Sequence, residues 1–261
     1  MLDADRPNDT ALIEDKESQV DPKILEELVK AGVLYGRKKS KTHPRMQRYI
    51  YTTRNGIEII DVVQTLSLID KAAEFLKSVA KNKGLILFVG STPAAKEDVK
   101  ALAEKLGYPF AAERWLGGTL TNFKTIHQRL EYYFKLKADR DAGKLEKYIK
   151  KERVGFDKEI ARLSTLFSGL ELLNQLPQAL VVVGSTSHET AVREARRLHI
   201  PIVGIISSDA DPEIIDYPIP ANDRAKTSIN WILERLGKAI EEAKTDTNIL
   251  IDTNDANKEK K

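Results

Sequence analysis

The sequence predicts an α/β protein with a doubly wound parallel sheet of the Rossmann or flavodoxin-like kind, flanked by helices and carrying an inserted α-helical coiled-coil hairpin. The apolar run at 85–89 (LILFV) is typical of a strand buried on both faces. The segment LFVGST at 87–92 is matched by VVVGST at 181–186, and each copy precedes a helical segment and an apolar stretch with proline. Two such strand–turn–helix–strand units predict parallel strands with right-handed crossovers.

The hairpin is predicted from two series of apolar residues with a mean spacing of 3.5. Phe123, Ile126, Leu130 and Tyr133 form the first series, and the second runs from Phe156 to Leu170 after Gly143. This spacing favours two antiparallel helices that pack as a coiled coil. We therefore expect a flexible arm at 1–20, an α/β core domain from 21–121 and 174–244, the hairpin at 122–173, and a disordered tail at 245–261. Since the hairpin lacks catalytic clusters, we expect it to bind a partner.

Local signals place the remaining elements in order. Asp21 and Pro22 are a good start for a helix that Gly32 ends, because Asp caps helices and Pro suits the first helical position. Asn55-Gly56 predicts a turn. Helices are expected at 65–82 and 94–106, and the strands of the sheet near 57–60, 85–89, 109–112, 180–184, 201–206 and 217–219.

Composition excludes several classes of protein. The 261 residues include no cysteine, so there are no disulfides, zinc fingers, iron–sulfur clusters or thiol nucleophiles. No apolar run approaches the roughly 20 residues of a membrane span, and the first twenty residues are polar and acidic. We expect a protein that is neither membrane-bound nor secreted. The net charge of +3 hides an uneven distribution.

Residues 36–57, the basic segment, contain no acidic residue. Tyr49 and Tyr51 lie within it, and Tyr35 precedes it. Uncompensated like charges repel one another unless a polyanion neutralises them, and tyrosines can stack on bases. We therefore favour an RNA surface over a solvated loop. The seven cations are Arg37, Lys38, Lys39, Lys41, Arg45, Arg48 and Arg54.

An alternative function is a sugar-phosphate-binding enzyme. The Gly-Ser-Thr turns, with Ser91, Thr92, Ser185 and Thr186, could bind phosphate at the sheet's switch point. A metal or base could come from Asp209, Asp211, Glu213 or Asp216. However, the chain has no Walker loop, no G-x-G-x-x-G and no H-E-x-x-H. His188 and His199 lack an obvious partner, so we expect them at the surface or in caps.

The segment ERWLGGTLTNFKTI at 113–126 indicates an unusual turn that leads into a capped helix. This motif resembles the most specific motif of the universal family of small-subunit ribosomal protein two, in its bacterial form. The resemblance continues through 54–61, 176–177, 194–201 and 211–223, and it covers about residues 20–240 in order.

The resemblance implies a structural constituent of the small ribosomal subunit that is cytoplasmic, with no catalytic role, cofactor or metal. The partners it implies are small-subunit rRNA and neighbouring ribosomal proteins, in many bacteria including the large mRNA-binding protein one. We expect no membrane contact and no homo-oligomer. Besides the seven cations, the implied RNA-binding residues are Arg114, Trp115, Thr119, Thr121, Asn122 and Lys124, although Trp115 could equally belong to the core.

Several positions depart from the family pattern. The chain has VLYGR at 33–37 where relatives commonly have V-H-F-G-H, and Thr42 where they have Trp. Pro93 and Ala94 occupy a region in which relatives often have two basic residues. Gly184 occupies a position at which relatives often have Asp. We interpret these differences as divergence of the lineage with the function kept.

Overall fold

The structure, a computed structural model, describes residues 22–258, with side chains over 22–245. The predicted arm at 1–20 lies outside the described residues. The helices are α1 Pro22–Ala31, α2 Val62–Lys81, α3 Lys96–Leu106, α4 Phe123–Asp141, α5 Lys150–Phe167, α6 Glu189–Arg197 and α7 Lys226–Lys258. The strands are β1 Tyr35–Lys38, β2 Ile50–Arg54, β3 Ile57–Ile60, β4 Ile86–Val89, β5 Phe110–Ala111, β6 Ala179–Val183, β7 Ile202–Ile206 and β8 Tyr217–Pro220.

Five strands form the predicted parallel sheet in the order β5-β4-β6-β7-β8. The chain passes from β4 outward to β5 and then returns to place β6 on the other side of β4. The strand order therefore reverses between β4 and β6, which is the topological switch point of a doubly wound fold.

Helices cover both faces of this sheet, which explains why its strands are apolar without alternation. Ile86 and Phe88 of β4 pack in a core with α1, α2, α3 and α7. Leu87 and Val89 of the same strand pack in a second core with α4, α5 and α6. Successive side chains of a strand point to opposite faces, so a strand between two helical layers must be apolar throughout.

The prediction that 57–60 belongs to the parallel sheet is wrong. This segment is β3, the central strand of a separate antiparallel sheet with the order β1-β3-β2. Asn55 and Gly56 both have positive φ, 52° and 75°, as a two-residue hairpin turn requires. That turn makes β2 the antiparallel neighbour of β3. Between β1 and β2 the basic segment forms two short 3-10 helices, Lys39–Lys41 and Pro44–Tyr49.

The inserted region contains two helices at the predicted positions. Leu130 and Tyr133 of α4, and Ile160 and Leu163 of α5, are buried in the second core. Their packing as a coiled coil stays a prediction, as do the domain boundaries. Helix α7 runs to Lys258, and the predicted disorder of 245–261 is not tested because the side chains beyond 245 are not described. No helix within 22–258 combines the length and the apolar composition that a membrane span needs.

Candidate nucleic-acid interface

Most cations of the basic segment are exposed, on the small antiparallel sheet or on the segment between β1 and β2, and have no counter-charge among the described residues. Among the described residues, five of the seven are exposed and form no ion pair: Lys38, Lys39, Lys41, Arg48 and Arg54. The guanidinium of Arg48 lies 5.0 Å from the centroid of the Tyr49 ring. Lys38 and Arg54 lie on β1 and β2, whereas Lys39, Lys41 and Arg48 lie on the 3-10 segments between these two strands.

The one acidic residue of these three strands, Glu58, cannot neutralise those charges. Its side chain is buried, and its carboxylate accepts hydrogen bonds from the hydroxyls of Thr53 at 2.7 Å and Thr42 at 3.5 Å. Because Glu58 is turned toward the protein interior, the outward surface of the sheet keeps its positive charge.

Arg37 points inward, in contrast to its neighbours on β1. Its Nε lies 3.2 Å from Asp209 Oδ2 and its Nη2 lies 2.7 Å from Asp223 Oδ1, and only 14% of its side chain is exposed. Burial raises the pKa of Asp223, and the positive charge of Arg37 acts against that rise. Arg37 therefore fastens the small sheet to the loops after β7 and β8, and its predicted contact with RNA does not agree with this position.

Arg45 also has partners within the chain. Its Nη1 lies 2.7 Å from Asp211 Oδ2 and 3.0 Å from Glu213 Oε2, and half of its side chain is exposed. The neighbouring Met46 is fully buried in the second core. This turn of the basic segment is thus docked on the loop after β7, with its charge largely compensated.

The turn at 113–122 is organised around one buried carboxylate, that of Glu194 on α6. Oε1 accepts hydrogen bonds from Trp115 Nε1 at 3.0 Å and from the Gly118 amide at 2.8 Å. Oε2 accepts from the amides of Leu120 at 3.0 Å and Thr121 at 3.1 Å, and from the Thr121 hydroxyl at 3.1 Å. Burial acts to raise the pKa of Glu194, but the hydrogen bonds outweigh it and lower the pKa.

These contacts give part of the predicted RNA-binding set a structural role. Trp115 is half-buried and packs against the second core, which favours the core interpretation of this side chain. Thr119 is 1% exposed and its hydroxyl donates to the Leu116 carbonyl at 2.6 Å, so its predicted contact with RNA is not available in this conformation. Gly118 adopts φ +89°, a left-handed conformation that favours glycine.

Four of the predicted RNA-binding residues of the motif are exposed, and one of them, Thr121, also donates its hydroxyl to Glu194. Arg114 and Lys124 are exposed and form no ion pair with any described residue. Asn122 is exposed, and its Oδ1 accepts a hydrogen bond from the Thr125 hydroxyl at 2.9 Å. The turn therefore presents two cations and an amide around a rigid internal core.

The switch point between β4 and β6, where a phosphate would bind in the enzyme alternative, is filled by His188. Its Nε2 lies 2.9 Å from the Ser91 amide nitrogen and its Nδ1 lies 2.9 Å from the Gly184 carbonyl oxygen. An amide can only donate and a carbonyl can only accept, so the ring is neutral with its proton on Nδ1. Burial lowers the pKa of His188. The sequence predicts His188 at the surface or in a cap; its ring is 3% exposed, and the residue occupies the N-cap position of α6 without a capping hydrogen bond from its side chain.

The acidic residues that the enzyme alternative would use are engaged elsewhere. Asp209 pairs with Arg37, and both Asp211 and Glu213 pair with Arg45. Asp216 Oδ2 accepts a hydrogen bond from the Ile202 amide at 2.8 Å. Within the described part of the chain, no three His, Asp or Glu side chains are gathered in a way that could hold a metal ion.

The sequence analysis did not identify the role of Glu194. A signal was present, because Glu194 lies next to Ala195 and three residues after Ala191 on the buried face of an amphipathic helix. An acid in that position must find hydrogen-bond donors. The residues that donate these hydrogen bonds lie more than seventy positions earlier in the chain, so the periodicity of the helix could not identify them.

Comparison with known proteins extends over most of the chain. The profile of the family described as "Ribosomal protein S2" matches residues 28–243. The small ribosomal subunit protein uS2 of Thermus thermophilus, compared in two strains of that organism, is 43% identical to this chain over 211 residues, which are 81% of this chain and 82% of each relative. The matched region includes both sheets, the turn at 113–122 and the two inserted helices.

Proposed function

Because the chain belongs to the ribosomal protein S2 family, we propose that it binds small-subunit rRNA through the free cations of the small antiparallel sheet and of the segment that joins β1 to β2. Members of this family are structural components of the small ribosomal subunit in the cytoplasm, associated with its rRNA and its other proteins. The function of this chain is therefore structural, and the comparisons give no support to a sugar-phosphate enzyme.

The observation that carries the proposal is the set of five exposed cations without a partner among the described residues. Such a set binds phosphates by releasing their counterions, which supplies affinity with little sequence information. Arg114 and Lys124 add a second positive surface beside the turn at 113–122. Two separate contacts on one rigid domain favour the recognition of a folded RNA shape.

The buried ionic contacts have a different role in this proposal. Arg37 sets the orientation of the small sheet, and Glu194 sets the conformation of the turn. Neither side chain needs to touch RNA. Both side chains fix the conformation of the surfaces that contact RNA. The free protein therefore already has its binding conformation, and it loses little conformational entropy on assembly.

We further propose that α4 and α5 form a coiled-coil arm for neighbouring ribosomal proteins, the large mRNA-binding protein one among them. Exposed apolar side chains on these helices and on their connection support this role: Tyr132 is 50% exposed, Val154 46% and Ile149 65%. We propose that the protein joins the subunit as a single copy, with no homo-oligomer.

The proposal is tested by following a tagged protein through sedimentation of a cell lysate. The variant Lys38→Ala/Lys41→Ala/Arg54→Ala is expected to shift from the small-subunit fraction toward the top of the gradient, while the wild type leaves the subunit only at high salt. A matched control, Lys71→Ala/Lys81→Ala/Arg197→Ala, removes the same charge from exposed sites without ion pairs among the described residues. Equal incorporation of both variants would contradict the proposed role of the small sheet.

A further inference from the structure

We infer that the outer face of the small antiparallel sheet is a stacking surface for unpaired nucleotides, on which Tyr35 and Tyr51 receive the bases of single-stranded RNA. The inference rests on the proposed function, because it names the kind of RNA that the same surface binds. Its evidence is the register of the three strands and the exposure of their side chains.

A bulge in β1 places an aromatic ring and a cation on one face. Tyr35 pairs with Ile59 and Lys38 pairs with Ile57, so two residues of β1 lie opposite the single residue between those partners. In a regular strand, residues three apart point to opposite faces, but the extra residue brings Tyr35 and Lys38 to the same one. Arg37, which lies within the bulge, is directed to the interior.

A second bulge lies in β2 at Tyr51. Ile50 pairs with Ile60 and Thr52 pairs with Ile59, so Tyr51 is the extra residue of this strand. Its side chain is 62% exposed. As the extra residue of a bulge, Tyr51 is released from the regular alternation of the strand, and its exposure separates it from the face of the buried Glu58 and Ile60.

The opposite face of the sheet is the one that packs on the protein. Thr53 pairs with Glu58, and their side chains form the hydrogen bond beneath the sheet. The residues of the outer face alternate with these. They form two rows across the strands, Lys38–Ile57–Arg54 and Tyr35–Ile59–Thr52.

This outer face combines exposed rings with cations and has no carboxylate. Tyr35 is 49% exposed and Ile57 is 39% exposed, and the cations of Lys38 and Arg54 lie on either side of Ile57. An aromatic ring stacks on any unstacked base, and flanking cations neutralise the backbone of the same strand. A duplex would use the cations alone, because its bases are already stacked on each other. The rings and Ile57 therefore favour single-stranded RNA.

The test measures binding of the purified full-length protein to a labelled oligouridylate and to an RNA duplex of equal length. Tyr35→Ala/Tyr51→Ala is expected to weaken oligouridylate binding by about tenfold or more and to leave duplex binding unchanged. Tyr35→Phe/Tyr51→Phe, which keeps both rings, is expected to bind like the wild type. Tyr132→Ala removes an equally exposed ring from α4 and is the matched control.

A second measurement needs no substitution that could affect folding. Photocrosslinking of a thiouridine-containing oligouridylate to the wild type is expected to modify Tyr35 or Tyr51. Adducts confined to other parts of the chain would contradict the inference.

The outcomes separate this inference from the proposed function. Suppose that Lys38→Ala weakens the binding of both RNA probes, whereas Tyr35→Ala/Tyr51→Ala weakens neither. This result would overturn the stacking of bases on the tyrosines but would leave the proposed rRNA-binding role of the surface intact. Tyr35→Ala/Tyr51→Ala could also bind RNA normally but fail to enter small subunits. That result would show that this face contacts a ribosomal protein, and it would overturn the inference. Failure of the wild type to bind either probe would overturn both.

Discussion

The small antiparallel sheet and the turn at 113–122 each lie beside one buried carboxylate, yet they direct their polar groups in opposite ways. In the sheet, cations such as Lys38 and Arg54 point to solvent without a partner among the described residues. In the turn, an indole, a hydroxyl and three backbone amides all converge on Glu194. The most distinctive part of the sequence, the segment 113–126, therefore uses most of its polar groups to hold the turn together and not to contact RNA.

The difference follows from where each region has its buried carboxylate. Glu58 lies under the sheet and accepts only two threonine hydroxyls, so the cations above it stay free. Glu194 lies on a helix beside a turn with several unpaired amides, which must be satisfied when they are buried. The polar groups of the sheet are thus free for binding, whereas those inside the turn fix the shape of a surface on which only Arg114, Asn122 and Lys124 are offered to RNA. Substitutions should separate the two, by a loss of stability in the turn and a loss of affinity in the sheet.

The largest expected effect is that of Glu194→Ala, which leaves five donors without their acceptor. We expect the free energy of unfolding to fall by about 3–4 kcal/mol, because hydrogen bonds to a buried charged group are strong and unmet donors are costly. Urea unfolding followed by tryptophan fluorescence measures it. Glu189→Ala, on the exposed face of the same helix, should cost at most about 0.5 kcal/mol. Similar losses for the two variants would contradict the role of Glu194.

Arg37→Met tests the exception within the basic segment. The change leaves Asp209 and the buried Asp223 without a cation, and we expect the free energy of unfolding to fall by about 2–3 kcal/mol. Lys38→Met, on the next residue of β1, should leave stability within about 0.5 kcal/mol of the wild type. Adding Asp223→Asn to Arg37→Met should recover part of the loss. A stable Arg37→Met protein with weakened RNA binding would return Arg37 to the RNA-facing set.

Lys38→Ala/Lys41→Ala/Arg54→Ala tests the binding region. Each lost phosphate contact reduces the slope of log affinity against log salt by about 0.7 for a single strand, so the slope should decrease by roughly 2. Titration of purified protein with RNA across a salt series measures it. Urea unfolding should be unchanged within about 0.5 kcal/mol. An unchanged slope would show that these cations do not face phosphates.

The smallest expected effect concerns pH and His188. Burial lowers the pKa of His188 in the folded protein below the ordinary value of about 6.5, so the unfolded chain takes up the proton first as pH falls. Stability should therefore decrease as pH drops below about 6.5, with no contribution from this group above it. The decrease should be smaller in His188→Gln, which has no titratable ring at this position. A wild-type pH profile for His188→Gln would contradict this assignment.

Much of the architecture could be predicted because it depends on local pattern. Uninterrupted apolar runs at β4, β6 and β7, with matching Gly-Ser-Thr turns after β4 and β6, identified the doubly wound sheet. The periodicity at 123–170 identified α4 and α5. The assignment of 57–60 failed because a four-residue strand with three isoleucines and Glu58 is compatible with either kind of sheet. Its pairing depends on the Asn55-Gly56 turn and on the distant contacts of Arg37.

The sequence by itself determined the family, the parallel sheet and the cluster of charge in the basic segment. Only the tertiary structure decided which of those charges are free, because Arg37 and Lys38 are adjacent and chemically alike along the chain. A bulge turns one toward Asp209 and Asp223, more than 170 residues away in sequence, and leaves the other in solvent. Periodicity is a property of neighbouring residues, whereas the pairing of a charge depends on what the fold brings beside it.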